Sequence, residues 1–224
     1  LLPGKPFGVP VRHGLTAGEF AMLINGEWLD SKVDLKVIRM HDWTRDQYFE
    51  QTGRPWVLPS PNMPTIEAAV VYTGTCIFEG ANVSEGRGTT KPFEVIGAPW
   101  INGVDLAARL NAVGLPGVRF RAAYFKPTFD DHAGVFCGGV QVHVMDRDAF
   151  EAVRTGLVML KTICEMYPEE IKVREWVSKL MGIPDLHTRI LAESVDTLIE
   201  EYQANLNAYM KIREKYLIYP AASR

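Results

Sequence analysis

The apolar positions of this chain fall into short periodic runs separated by turn-forming residues. Phe20, Leu23 and Ile24 follow Thr16-x-x-Glu19, a capping box, and predict a helix over 17–25 that Gly26 ends. Over residues 33–40, Val33, Leu35 and Val37 alternate with Asp34 and Lys36, which predicts a strand. Thr44 is placed to cap a short helix ending near Gly53, and residues 65–71 read as another short helix. Asn102 caps a predicted helix over 103–113, closed by Gly114. Residues 118–125 and 139–145 read as strands, the second with Val140, Val142 and Val144 on one face. Asp146 opens a helical pattern from about 147 to 167, carrying Ala149, Phe150, Val153, Leu157, Leu160 and Ile163 or Cys164, and Pro168 stops it. Residues 188–215, with Ile190, Leu191, Val195, Leu198, Ile199, Tyr202 and Leu206, predict one or two further helices.

The element order suggests two parts. Helix, strand and helix within 1–62 read as the tail of an α/β domain. Residues 63–224 read as an α+β domain with a short sheet and several helices. Pro55, Pro59, Pro61 and Pro64 mark a junction or a rigid cleft wall, and Pro3, Gly4, Pro6, Gly8 and Pro10 make residues 1–12 an extended loop.

One stretch fits neither period. Residues 74–90 hold four glycines, Glu79, Glu85, Arg87, Asn82 and several hydroxyls. Glycine interrupts helices and strands, and Ser, Thr and Asn compete for backbone hydrogen bonds. The stretch therefore reads as a tight loop carrying acid, base and donor groups.

Composition narrows the classes. A length of 224 residues with 47% hydrophobic content supports a sizeable core without metal or disulfide staples. Net charge is −3, and no Lys/Arg run is long enough to form a nucleic-acid surface. No apolar run approaches the length of a membrane span. Three cysteines (Cys76, Cys137, Cys164) leave at least one unpaired, and each reads as a small buried hydrophobe. No CxxC, HExxH or Cys/His cluster points to a metal. The first residues show no signal peptide, and the chain reads as cut from something longer.

Several residues carry candidate chemistry. Glu79 and Glu85 are a possible glycosidase pair, provided Gly80, Asn82 and Gly86 fold the loop back; the alternative is a structural role, with Arg87 as partner. Gly86-Arg87-Gly88-Thr89-Thr90 suits an anion, but it lacks Walker A spacing, and a plain turn with a solvated arginine is the alternative. Arg12 and His13 precede the first helix, where a substrate carboxylate or hydroxyl fits as well as an ordinary loop does. Asn62, between Pro61 and Met63-Pro64, is aimed at a ligand or bridges two domains. His143 is a strand histidine with a structural alternative. Trp100 and Tyr124 offer sugar-stacking faces or plain core packing.

The run GTCIFEGANVSEGRGTTKPFEVIGAPWI at residues 74–101 closely resembles the hallmark of the NamZ-like (YbbC-type) exo-β-N-acetylmuramidases. VRHGLTAGE, PWVLPSPNMPT, LPGVRFRAAYFKPTF and CGGVQVHVMDRDAF follow the family's order and extend the resemblance to about residue 165. The resemblance implies an enzyme that removes N-acetylmuramic acid from the non-reducing end of peptidoglycan fragments, acting outside the cytoplasm. It implies a Rossmann-like N-terminal domain, of which residues 1–62 would be the C-terminal end, and a smaller domain over 63–224, with a cleft between them. Glu79 or Glu85 would supply a carboxylate, and Asn62, Asn82 and Arg87 would hold the sugar; no metal or organic cofactor is implied. The family's Gly-Pro-Glu-His-Gly stretch is absent here. The expectation is therefore a fragment, a cleaved product or half of a split enzyme, with the missing N-terminal half as a covalent or separate partner. A non-catalytic peptidoglycan-binding module and an anion-binding protein using residues 86–90 are the rival readings.

Overall fold

The computed structural model describes residues 8–220, so residues 1–7 of the expected N-terminal loop lie outside the described residues. The chain forms two compact units, one reaching from the N-terminal side to Trp56 and resuming at Glu200, the other spanning Val57–Ile199. The first unit is thus discontinuous in sequence, whereas a linear reading assigns everything after residue 62 to one domain.

In the first unit, helix α1 (Ala17–Leu23) starts at the expected capping box. Glu19 Oε2 accepts from the Thr16 amide at 2.8 Å, and Thr16 Oγ1 accepts from the Glu19 amide at 3.3 Å. Glu19 is fully buried; its other oxygen pairs with Arg45 and accepts from the Ile218 amide at 2.8 Å. Burial alone would raise its pKa, but the backbone donors and Arg45 outweigh burial and hold it below the usual carboxylate value. One side chain therefore caps a helix and anchors the returning C-terminal segment.

Three expectations fail in this unit. Gly26 does not end the helix, because Ile24–Trp28 continue it as a π-helical turn. A Cβ at Gly26 would come within 2.3 Å of the Tyr216 hydroxyl, so the glycine makes room for a ring. Residues 33–40 form no helix and pair with no strand among the described residues, and Val33, Leu35, Ile38 and Met40 are exposed. A strand needs a neighbour, and the three strands among the described residues lie in the other unit. The helix expected after Thr44 shrinks to one 3₁₀ turn, Phe49–Thr52, ended as expected by left-handed Gly53.

The second unit holds the sheet. Strands β1 (Val95–Ala98), β2 (Val118–Phe125) and β3 (Cys137–Val144) run antiparallel in the order β1-β3-β2. Helix α2 (Ile66–Thr75), capped by Thr65, leads into the glycine-rich stretch, and α3 (Gly103–Val113), capped by Asn102, packs on β2 and β3. Ile96, Val118, Phe120, Val140 and Val142 are buried, as the alternation requires. Helix α4 (Ala152–Met166) packs on α2. It begins later than the periodicity suggests, because Asp146 Oδ1 accepts from the amides of Asp148 and Ala149 and closes a turn instead. Helices α5 (Trp176–Met181), α6 (Leu186–Ala192) and α7 (Val195–Arg213) complete the order, and α5 is too short to show a period in sequence. The three cysteines are buried and unpaired. The expected mixture of helices with a short sheet is present. No helix among the described residues is long and apolar enough to cross a membrane.

Candidate active site

The glycine-rich stretch is not one loop. Gly74 and Thr75 finish α2, Cys76–Gly80 form a 3₁₀ helix, and only the remainder is irregular. Cys76, Ile77, Phe78, Ala81 and Val83 are core residues, which corrects the reading of the whole stretch as a loop. Gly74 interrupts nothing; it lets α4 approach. A Cβ there would lie 1.9 Å from the Ala152 carbonyl oxygen.

The second half turns sharply at two left-handed glycines, Gly86 (φ 84°) and Gly88 (φ 74°). The Ser84 hydroxyl accepts from the Gly86 amide, the Phe93 amide donates to the Glu85 carbonyl, and Thr89 Oγ1 donates to the Gly86 carbonyl. The β2–β3 connection is tied to the same turn, since Thr128 donates to the Gly88 carbonyl from both its amide and its hydroxyl, each at 2.9 Å.

This scaffold holds one guanidinium among three carboxylates. Arg87 Nη2 lies 3.1 Å from Glu79 Oε1, and Nη1 lies 3.2 Å from Glu85 Oε1 and 3.5 Å from Asp130 Oδ2. Its carbon sits 5.2 Å above the ring of buried Phe93. Glu79 and Glu85 are thus brought together, within the reach that two-carboxylate glycosidases use, at most about 9.5 Å. Their environments differ: the Glu85 side chain is 3% exposed and that of Glu79 21%. Burial, opposed by its own backbone amide and Arg87, raises the Glu85 pKa to about 7. Glu85 Oε1 has no hydrogen-bond partner among the described residues, so the guanidinium approaches without fully satisfying the carboxylate. For Arg87, burial disfavours the charge, but Glu85, Glu79 and Asp130 prevail and raise its pKa.

The other candidates separate. Asn82 clips two backbone segments: its side-chain Nδ2 donates to the Glu170 carbonyl at 2.9 Å, and its Oδ1 accepts from the Lys172 amide at 2.6 Å. Arg12 and His13 fall in the first unit; Arg12 is exposed, and His13 accepts from the Leu15 amide and stacks on Phe20 at 5.2 Å. Burial, aided by Arg213, lowers the His13 pKa. Asn62 sits in a turn in which its amide donates to Ser60 Oγ, and its side chain has no bond among the described residues. Trp100 packs on Tyr167 at 5.3 Å, a structural contact. Tyr124 is 56% exposed and stacks on Phe136. His143 is half-buried on β3, and its Nε2 has no partner among the described residues.

Sequence reasoning missed Asp130 and Glu94. Asp130 lies 43 positions from Arg87 on another connection, and no local pattern links them. Glu94 is buried and accepts from Thr65 Oγ1 and Lys91 Nζ, each at 3.3 Å. A glutamate flanked by Phe93 and Val95 is the only sequence signal it offers.

Fold and cluster together define a mixed α/β protein with an acid–base group built on a glycine-pinned turn. The chain belongs to the exo-beta-N-acetylmuramidase NamZ family: the model of the family's C-terminal part matches residues 70–219, and that of its N-terminal part matches residues 5–67. It is 50% identical over 216 residues to a peptidoglycan beta-N-acetylmuramidase NamZ of Bacillus subtilis, a match covering 95% of this chain and 52% of the relative. Two crystal structures of DUF1343 family proteins from Bacteroides fragilis are similar, each at 27% identity. One has a TM-score of 0.85 and matches 96% of this chain and 58% of its own; the other has 0.74, 94% and 57%. The chain thus spans about half the length of the relatives it matches.

Proposed function

We propose that this chain carries a working part of a glycoside hydrolase that releases N-acetylmuramic acid from the non-reducing ends of peptidoglycan fragments. The observation that carries the reading is Glu79–Arg87–Glu85, two carboxylates in unequal environments on one guanidinium. Glycosidic cleavage asks for one carboxyl that is protonated near neutral pH and a second that attacks or activates water. Glu85, raised to about 7, is the proton donor in this proposal, and the more exposed Glu79 is the second group. Arg87 and Asp130 hold the pair in register, and Asn62 and Tyr124 are the remaining candidates for contacts to sugar. Family membership and the name of the Bacillus relative support the substrate class.

In the same proposal, residues up to about 62 belong to a Rossmann-like α/β domain completed by polypeptide outside this chain, linked to it or separate. The alternating residues 33–40, which pair with no strand among the described residues, support that reading, as does the match of residues 5–67 to the family's N-terminal part. The place of action is extracytoplasmic, where peptidoglycan lies.

The test is product analysis by mass spectrometry after incubation with a MurNAc–GlcNAc disaccharide. Free N-acetylmuramic acid is expected, and Glu85→Gln and Glu79→Gln each lose about 100-fold or more of the rate. Saturable binding with no hydrolysis at high enzyme concentration would instead establish a carbohydrate-binding module.

A further inference from the structure

A groove of about 420 Å³ opens on the second unit beside the catalytic turn, lined by Thr89, Thr90 and Lys91 from the turn and by Arg121, Gln141 and Tyr124 from the sheet. The strand register accounts for its floor. Val95 pairs with Gln141, and Gln141 pairs with Arg121, so the three side chains form one row across β1, β3 and β2. His143 lies on the same face, two residues from Gln141 and opposite Arg119.

The chemistry of this row is cationic. Arg121 donates to Gln141 Oε1 at 2.6 Å and to the Ala122 carbonyl at 3.3 Å, bonds that lay its guanidinium along the sheet. It forms no ion pair with a carboxylate among the described residues. Lys91 adds a second cation, already shared with Glu94. Thr90 contributes an exposed hydroxyl. A positioned guanidinium beside a hydroxyl matches a carboxylate carried on a sugar or a short chain.

Thr90 is three residues from Arg87, so the groove begins at most about 11 Å along the chain from the arginine that holds the carboxylate pair. We infer that this groove is a second subsite, in which Arg121 binds a carboxylate of the ligand beyond the sugar held at Glu79–Arg87–Glu85. The inference rests on the glycosidase reading for its substrate class. It deepens that reading by assigning recognition of the departing portion to β2 and the 89–91 turn.

The test uses amide chemical shifts of the isotope-labelled chain at pH 7, titrated with three probes. N-acetylmuramic acid carries the carboxylate on a sugar, N-acetylglucosamine is its neutral counterpart, and alanyl-glutamate carries a carboxylate on a peptide. At least one acidic probe is expected to shift Thr90, Ala122 and Gln141, with the neutral sugar leaving them still. The acidic probe that binds identifies the source, sugar or peptide. Arg121 is exposed, so Arg121→Gln keeps the fold, and it is expected to weaken the acidic probe about 10-fold while Arg121→Lys restores part of the loss. Equal shifts from acidic and neutral sugars, no shift from either acidic probe, or an unchanged affinity in Arg121→Gln would overturn the subsite. Disaccharide hydrolysis with acidic probes shifting only the residues around Glu79, Glu85 and Arg87 removes the subsite and leaves the glycosidase reading intact. Groove shifts without any hydrolysis do the reverse.

Discussion

Glu85 is where burial and charge compete most openly. A carboxyl moved from its ordinary value of 4.5 to about 7 takes up a proton on folding between those limits. In that window the native state binds more protons than the unfolded chain, so stability falls as pH rises from about 4.5 to 7. The Glu85 contribution to that fall is at most about 3 kcal/mol. Glu85→Gln removes the titration, and denaturant unfolding across this range should show a flatter pH dependence in the variant. An unchanged slope would mean that burial does not govern this carboxyl. Glu79, Glu85 and Arg87 could be singled out from sequence because they share one short stretch. Asp130 could not, since its place depends on Thr128 bonding to the Gly88 carbonyl across two connections. Asn82 shows the opposite limit: an amide in a polar stretch looks like a ligand until its partners, the backbone groups of Glu170 and Lys172, are in place.

Helix α2 carries its glycine for packing rather than for a turn. Gly74 and Gly156 face each other, and a Cβ on either would fall 1.9–2.2 Å from a backbone oxygen of the opposite helix. Neither helix can shift without moving the Cys76–Gly80 turn that delivers Glu79. Gly74→Ala is therefore expected to destabilise the protein by about 2–3 kcal/mol in chemical denaturation, despite alanine's better helix propensity. A neutral or stabilising result would show that α2 and α4 can separate freely. Caps and strand alternation were legible because they are local: Thr16 with Glu19, Asn102, and the valines of β3 all act where the pattern puts them. The end of α1 was not, because a distant ring, Tyr216, decides what happens at Gly26. The start of α4 was missed for a related reason. Asp146 is a good cap by type, but the Met145 and Asp146 amides both donate to the Gly117 carbonyl, and that holds the segment in a turn.

Across the whole molecule, the alternation at residues 33–40 is a sound strand signal without a sheet. Among the described residues, only the Val33 amide, bonded to Asn25, and the Met40 amide, bonded to the Tyr219 hydroxyl, have hydrogen-bond partners in this segment. Hydrogen exchange should therefore find the amides of residues 34–39 exchanging at nearly unstructured rates in this chain, and strongly protected in a polypeptide that contains the full length of its relatives. Strong protection in this chain by itself would show that the segment is already paired. Sequence alone conveyed the mixture of helices with a short sheet, but not the return of residues beyond 200 to the first unit, which depends on contacts such as Glu19 with the Ile218 amide. The most direct test of the central claim is the pH dependence of N-acetylmuramic acid release from the MurNAc–GlcNAc disaccharide. If Glu85 is the proton donor, the initial rate falls about tenfold per pH unit above 7. Glu85→Gln leaves only a small residual rate without that limb. A wild-type rate that stays level from pH 6 to 9, or an active Glu85→Gln enzyme with the same profile, would contradict the account.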